Sequence, residues 1–425
     1  MNTTASIKKN YALIKWQKLT IVSVLIGFLA ALLAISLKHI TEHYEQIFFA
    51  KTQSNWLYLL VFPIFGLSVI YFLRQYLFKK KENKGIKEVF ESTSSNKNLP
   101  LYKIPSHFIN GLLTVSFGGS TGIEVSTVVA TATIGSVAHT KKNFFKKYKT
   151  ELICAGVAAG VTALFSSPIA GLFFAYEVIS KKISKVFLVT NLIAISIAFG
   201  FLFILEEKPL FEINIITWHW QAIPYFILLG IISGLNSVYL TKCVLFFKKQ
   251  FSNIKVHYYK IVLGASILTF SLFILPQLYG DGYHAIKHYF LSANTDVLTI
   301  SLAFTLLSII IMKPIVTSIT LSSGGDGGVF APSLFIGAFL GLLTAICLNT
   351  FFGASVIPLN FMILGMAAML SASIHAPFTA LFLVCGVVND YTLFFPILLV
   401  CLVSKFTAQK IYPYTVYSYK EKLAQ

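Results

Sequence analysis

Long apolar runs bounded by lysines limit what this chain can fold into. They lie near residues 20–37, 57–73, 152–180, 186–205, 222–247, 260–276, 297–318, 329–352, 355–388 and 391–408. Crossing a bilayer as a helix takes about 20 apolar residues. The chain therefore reads as an all-α polytopic membrane protein. A transmembrane barrel would show short alternating segments instead. Composition agrees, with 56% of the 425 residues hydrophobic and only 12% charged. An ordinary soluble chain carries roughly twice that charged share.

The formal net charge of +18 raises the question of nucleic acid. The distribution of the charge argues against it. Basic clusters at 8–9, 79–87, 141–149, 181–185 and 248–255 sit at the ends of apolar runs, and Arg74 is the only arginine. Phosphate and base recognition favour arginine. Lysines at run ends fit the positive-inside rule, which makes these clusters cytoplasmic. The acidic stretch with Glu206, Glu207 and Glu212 should then be external, with Trp218 and Trp220 in an interface belt. Residues 1–18 read as a cytoplasmic N-terminal segment, 19–410 as the membrane domain and 411–425 as a tail. The run from Leu19 is too long for a signal peptide. The five cysteines, Cys154, Cys243, Cys347, Cys385 and Cys401, have no metal or redox spacing. No metal or cofactor is expected.

Several runs are interrupted by Gly, Ser or Pro, and the interruptions recur. Ser166-Ser167-Pro168-Ile169-Ala170 resembles His375-Ala376-Pro377-Phe378-Thr379, with Pro168 and Pro377 209 residues apart. Gly122-x-Glu124-x-Ser126 resembles Gly328-x-Phe330-x-Pro332, with Glu124 and Phe330 206 residues apart. Two matches at nearly one offset predict a duplication, with repeats at about 19–205 and 222–410. Many transporters are built this way, with the site where the repeats meet.

Glu124 is the carboxylate that most needs explaining, because it lies in a long stretch with few charges. The other main acidic residues read as inside apolar runs are Glu177, Asp326 and Asp390. The segment Ser323-Gly324-Gly325-Asp326-Gly327-Gly328-Val329-Phe330-Ala331-Pro332 is the strongest motif. Its glycines let backbone approach an ion, and Pro332 suits the first turn of a helix. The N–H groups of Val329 and Phe330 would then face an anion. A cluster of packing glycines is the alternative. Asp326 would repel an anion unless it caps nearby N–H groups. His139 and His375 read as structural.

These motifs resemble those of the CLC chloride channel and transporter family. Gly328-Val329-Phe330-Ala331-Pro332, with Gly337-Ala338, is similar to that family's third signature, and Gly122-Ile123-Glu124-Val125-Ser126 to its gate motif. Gly280-Asp281-Gly282-Tyr283, the stretch around His375, and Tyr414-Thr415-Val416-Tyr417 also have family counterparts, in family order from about 85 to 417. The resemblance implies an inverted-repeat fold with broken and re-entrant helices. It implies a homodimer with one pore per subunit, of the bacterial type without cytoplasmic CBS domains, in the bacterial inner membrane. It implies that Glu124 gates, and that Gly85, Ile86, Gly122, Ile123, Gly328, Val329, Phe330 and the Tyr417 hydroxyl bind chloride. Tyr412 and Tyr414 are rivals of Tyr417.

The departures from the family are specific. The gate motif ends in Val125-Ser126 rather than Gly-Pro, and Val125 is expected to narrow the outer approach. The first signature falls at Asn83-Lys84-Gly85-Ile86-Lys87, where Gly85 and Ile86 survive. Its serine is replaced by Lys84, or by Asn83 if the alignment slips. Lys84 reads as an anion attractor or as a solvated member of its cluster. In proton-coupled members two glutamates often adjoin; here they are Glu177 and Val178. Valine cannot take a proton, and the residue matching Glu177 is generally structural. The sequence therefore predicts a passive, glutamate-gated chloride channel. A proton/chloride exchanger and a carrier of fluoride or nitrate are the alternatives. An intramembrane enzyme is disfavoured because no nucleophile motif is recognisable, and a sodium-coupled carrier because membrane carboxylates are few and the exposed N–H groups suit anions.

Overall fold

The computed structural model describes residues 2–78, 83–95, 97–140, 143–295 and 297–418, with side chains from residue 13 onward. Residues 79–82, 141–142 and 419–425 lie outside the described residues, and so do Asp296 and the side chains of Lys8 and Lys9. Among the described residues there is no sheet, and nine helices are long and apolar enough to cross a membrane.

The helices run in two matching series. The first comprises α1 (Asn2–Ser54), α2 (Leu57–Phe72), α3 (Lys87–Ser94), α4 (Lys103–Ser116), α5 (Glu124–Thr140), α6 (Lys149–Phe165), α7 (Pro168–Phe173, prolonged by a π turn over Phe174–Ser180) and α8 (Lys185–Ile204). The second comprises α9 (Ile223–Ser252), α10 (His257–Ile274), α11 (Tyr283–Ser292), α12 (Ile300–Ser322), α13 (Phe330–Phe352), α14 (Pro358–Ile374), α15 (Pro377–Val388) and α16 (Phe394–Ile411). α5 and α13 start at Glu124 and Phe330, the pair matched in the sequence, and α7 and α15 start at Pro168 and Pro377. α6 and α14 are each 17 residues long. This is the expected inverted-repeat architecture with broken helices. We propose that the halves divide in the extended connection between α8 and α9.

The two long runs at 152–180 and 355–388 are each two helices, broken where the Ser and Pro residues interrupt them. Ser166 and His375 end α6 and α14 in the left-handed region, at φ 52° and 56°. Ser167 and Ala376 follow, outside the helical region, and then a proline at the first helical position, where its missing N–H is no loss. Backbone freed at such breaks must find protein partners, because lipid offers none. It finds them across the two halves. Ser167 Oγ donates to the Phe382 carbonyl at 2.8 Å. Glu177 accepts from the Thr379 N–H and from Thr379 Oγ1, each at 2.8 Å, at the start of α15.

Glycine governs the closest helix contacts, and it does so twice. On α5 and α6, Gly135 lies against the Leu152 backbone and Gly156 against Thr131. On α13 and α14, Gly341 lies against Phe361, and Gly337 and Gly365 against each other. A Cβ at any of these would strike backbone, so the helices can pack this closely only with small residues. Gly337 and Gly341 are thus packing residues rather than ion-facing ones.

Two elements differ from the sequence reading. α1 shows no break at residue 18 and continues past the apolar run to Ser54. Its second half buries Lys38, Thr41, Glu45 and Thr52. These are spaced three, four and seven apart on one face, a polar stripe that hydropathy does not register. Asp390 is not buried at membrane depth; it sits in the α15–α16 turn and accepts from the Thr392 N–H at 2.6 Å.

The Glu177 cross-tie gives a stability prediction. Glu177→Ala leaves the Thr379 hydroxyl and the first N–H groups of α15 without that partner, a loss of about 1–3 kcal/mol. Thermal unfolding of the purified variant in detergent should occur at lower temperature than wild type, with the far-ultraviolet helix signal retained.

Candidate functional site

Two helix starts meet at the centre of the site. The loops before α5 and α13 run side by side, joined by an antiparallel bridge between Gly122 and Gly328. Thr121 Oγ1 ties them further by donating to the Gly328 carbonyl at 2.7 Å. A Cβ at Gly122 would lie 2.6 Å from the Ala331 Cβ, so only glycine allows this approach. The first N–H groups of a helix have no intrahelical acceptor, and here both sets are brought together.

Glu124 occupies the meeting point. It is 2% exposed. Tyr283 Oη, at the start of α11, donates to Glu124 Oε1 at 2.6 Å. Oε2 makes no hydrogen bond of good geometry, but the backbone N–H groups of Glu124 and Ala331 act on the carboxylate. Its hydrogen-bond partner is a phenol. The pairing with a neighbouring lysine, an alternative for such a glutamate, is not what the structure has.

One side of the site is a cavity of about 510 Å³, and its basic lining makes this the inner side by the positive-inside rule. It brings Asn83, Lys84, Gly85 and Ile86 together with the glycine loop, Val125 and Tyr417. Tyr417 is the tyrosine at the site: its hydroxyl accepts the Val329 N–H at 3.2 Å, and its ring lies 6.2 Å from that of Phe330. Tyr414 is exposed, and Tyr412 packs against Val238, Ala372 and Ala408. Two expectations are corrected here. The Val329 N–H is engaged by Tyr417, and the α13 donor that acts on the carboxylate is the N–H of Ala331. Val125 lies against Gly85 and Gly328 and lines the inner cavity, so it narrows the inner approach and not the outer one.

Charge in this cavity is mostly positive. Arg74, Lys84, Lys87, Lys248 and Lys260 line it. Lys84 is exposed, with its backbone N–H donating to Glu88 at 2.5 Å, and so belongs to the solvated cluster. Asp326 is the one carboxylate among the described lining residues. It accepts from Asn83 Nδ2 at 2.7 Å, lies 3.0 Å from His107 Nδ1, and caps the Gly327 N–H at 3.1 Å. These partners offset the repulsion it would otherwise exert on an anion. Glu177 and Val178 lie away from these loops: Glu177 caps α15, and Val178 is buried in the core.

A second depression, of about 540 Å³, opens on the opposite side among Lys38, His39, Glu42, Lys287 and the acidic stretch 206–212. Glu207 accepts from Lys38 Nζ at 3.1 Å and contacts His39. Phe211, at the floor, packs edge-on against Tyr283 at 5.8 Å. Beneath it lie Asp281 and Tyr283, which the sequence places in a family-like motif without a role, and Glu45 and Lys313, which it passes over. Lys313 carried a signal, as the lone charge in the run Ile309-Ile310-Ile311-Met312-Lys313. Glu45 carried one only through the helical spacing of its neighbours.

Broken helices whose free N–H groups converge on a carboxylate, between a basic inner cavity and an outer depression, define a membrane protein for small anions. The chain belongs to the voltage-gated chloride channel family, the CLC proteins, whose family model matches residues 65–409. It is 27% identical over 322 residues to a putative chloride channel protein ClcB-like of Ralstonia nicotianae, covering 73% of this chain and 72% of the relative. It is 29% identical over 378 residues to an H(+)/Cl(-) exchange transporter ClcA of Yersinia pestis, covering 83% and 76%. Among solved structures, a CLC-type fluoride/proton antiporter superposes with a TM-score of 0.78 at 26% identity, covering 94% of this chain and 97% of that one. A slow cyanobacterial Cl-/H+ antiporter shares the fold with a TM-score of 0.80 at 21% identity, covering 94% and 96%. The protein is thus a multi-pass membrane protein of CLC-type anion transport, and a bacterial inner-membrane location fits the organisms of its relatives.

The basic lining predicts a salt effect. Lys248→Gln with Lys260→Gln should slow chloride flux from the inner side at about 0.01 M salt. The deficit should shrink above about 0.15 M, where charges more than about 8 Å apart are screened. Flux from oriented liposomes across a salt series checks this.

Proposed function

We propose that this protein carries chloride through a pathway gated by Glu124. One observation carries the reading: the Glu124 carboxylate lies buried against the free N–H groups at the start of α13, where a small anion would sit. A carboxylate in that position competes with chloride for the same donors. Withdrawal or protonation of Glu124 would free them. Gly122, Ile123, Gly328 and Phe330 then supply backbone, and Tyr417, whose hydroxyl accepts the Val329 N–H, donates that hydroxyl to the anion from the inner side. Gly85 and Ile86 line the inner approach. Neutral donors suit this task, because a full buried cation would hold chloride too tightly for fast release. We further propose a homodimer with one pathway in each subunit.

Passive conduction is the mode this site supports. Val178 carries no proton, and the carboxylate of Glu177 is engaged at the start of α15. Proton-coupled exchange is a second reading, favoured by the names of the relatives, an H(+)/Cl(-) exchange transporter and a fluoride/proton antiporter. The latter also makes fluoride a rival substrate.

Reconstitution in liposomes separates these readings. Glu124→Ala should raise chloride flux several-fold and remove its dependence on pH; unchanged flux and pH response would sink the gate. With a chloride gradient held fixed, the reversal potential should not move when a pH gradient is imposed. A shift establishes exchange instead, and fluoride flux far above chloride replaces the substrate.

A further inference from the structure

The motif Gly280-Asp281-Gly282-Tyr283 has no task in the pathway described so far, yet its last residue touches the gate. Tyr283 Oη donates to Glu124 Oε1 at 2.6 Å. Its ring is covered on the outer side by Phe211. A phenol lodged on a carboxylate between the outer depression and the meeting helix starts bears directly on how that carboxylate moves.

The segment that carries Tyr283 is unusually fixed. Gly280 and Gly282 have φ of +57° and +84°, which disfavour any side chain. A Cβ at Gly280 would strike the Glu45 carboxylate, and one at Gly282 the Phe335 ring. Asp281 Oδ1 accepts the Tyr283 N–H at 2.8 Å, and the Asp281 N–H donates to Glu45 at 3.2 Å. Lys313 Nζ donates to the carbonyls of Leu278 and Gly280 at 3.3 and 3.1 Å. It also lies 4.4 Å from the centre of the Phe335 ring. Glu45, Asp281 and Lys313 are all buried. α1, α12 and α13 therefore combine to hold one turn, and that turn aims one hydroxyl at Glu124.

We propose that Tyr283 is a positioning residue, a latch whose hydroxyl holds Glu124 in the anion site and so sets how much chloride is needed to displace it. The inference rests on the gating role given to Glu124. Its arithmetic is that of competition: when only a fraction of molecules has the site free, the apparent affinity for chloride falls by that fraction. Weakening the latch raises the fraction. The concentration of chloride at half-maximal flux then falls, with a smaller change in the maximal rate, because saturating chloride displaces the carboxylate in either protein. A residue that merely supported the fold would lower the maximal rate without lowering the half-saturating concentration.

Tyr283→Phe removes the hydroxyl and keeps the ring that packs on Phe211. Chloride flux into liposomes is measured over a chloride series for wild type, Tyr283→Phe, Glu124→Ala and the double variant. A hydrogen bond to a charged group is worth enough for about a tenfold fall in half-saturating chloride in Tyr283→Phe. In the Glu124→Ala background the same substitution should change nothing. Calorimetric titration of the detergent-solubilised proteins with chloride should show the same tightening without requiring transport. Unchanged half-saturation and chloride affinity in Tyr283→Phe, or an equal shift with and without Glu124, overturns the latch. If Glu124→Ala by itself leaves the half-saturating chloride where it was, the gate reading fails and takes the latch with it. If Glu124→Ala lowers it and Tyr283→Phe does not, only the latch fails.

Discussion

Backbone hydrogen bonding in a medium without water is the constraint on which this structure depends. A helix that stops inside the bilayer exposes donors or acceptors that lipid cannot meet. This chain stops helices there repeatedly, and each stop is answered by protein. At the α5 and α13 starts the answer is the other loop, through the Gly122–Gly328 bridge and the Thr121 hydroxyl. At the α15 start it is Glu177 from the opposite half. A few N–H groups at the helix starts are answered by the Glu124 carboxylate, and those few are what an anion would use under the function proposed above. The proposed anion site is thus what remains once the fold has satisfied the rest of its backbone.

The same constraint accounts for the glycines. Bringing two helix starts together at Gly122 and Gly328 requires backbone to approach backbone, and so does seating α5 on α6 and α13 on α14. Nearly equivalent positions serve in both halves. Packing here comes from close contact of small residues, since apolar side chains gain little from leaving lipid for one another. Larger residues at these points would separate the pairs and move the two loops apart.

Much of this was legible in the sequence, and the parts that were not share a reason. The breaks at Ser166 and His375, the starts at Glu124 and Phe330, and the spacing between the halves are local signals, carried by Pro, Gly and Ser at fixed positions. Tyr417 was identifiable by its family segment, and the structure brings it to Val329. The joining of the polar groups beneath the outer depression was hidden because they come from three distant places. Glu45 lies beyond an apolar run, Asp281 and Tyr283 lie in a turn, and Lys313 lies inside a helix. Hydropathy scores each alone, whereas only folding shows that they face one another. Val125 was assigned to the wrong side because a residue's place next to Glu124 in the chain does not say which way its side chain turns at a helix start.

The ties between the halves have a mechanical consequence. In transporters whose repeats rock against each other, the interface between them must slide or open in each cycle. Here Ser167 reaches to Phe382, Glu177 grips Thr379, and Gly122 is bridged to Gly328, so sliding would break several buried polar contacts together. The two halves form one rigid frame. Under the gating role proposed for Glu124, what is left to move is of side-chain size, a carboxylate and two phenols. On that reading the rate of transport is set at a few rotatable bonds and not at a domain hinge.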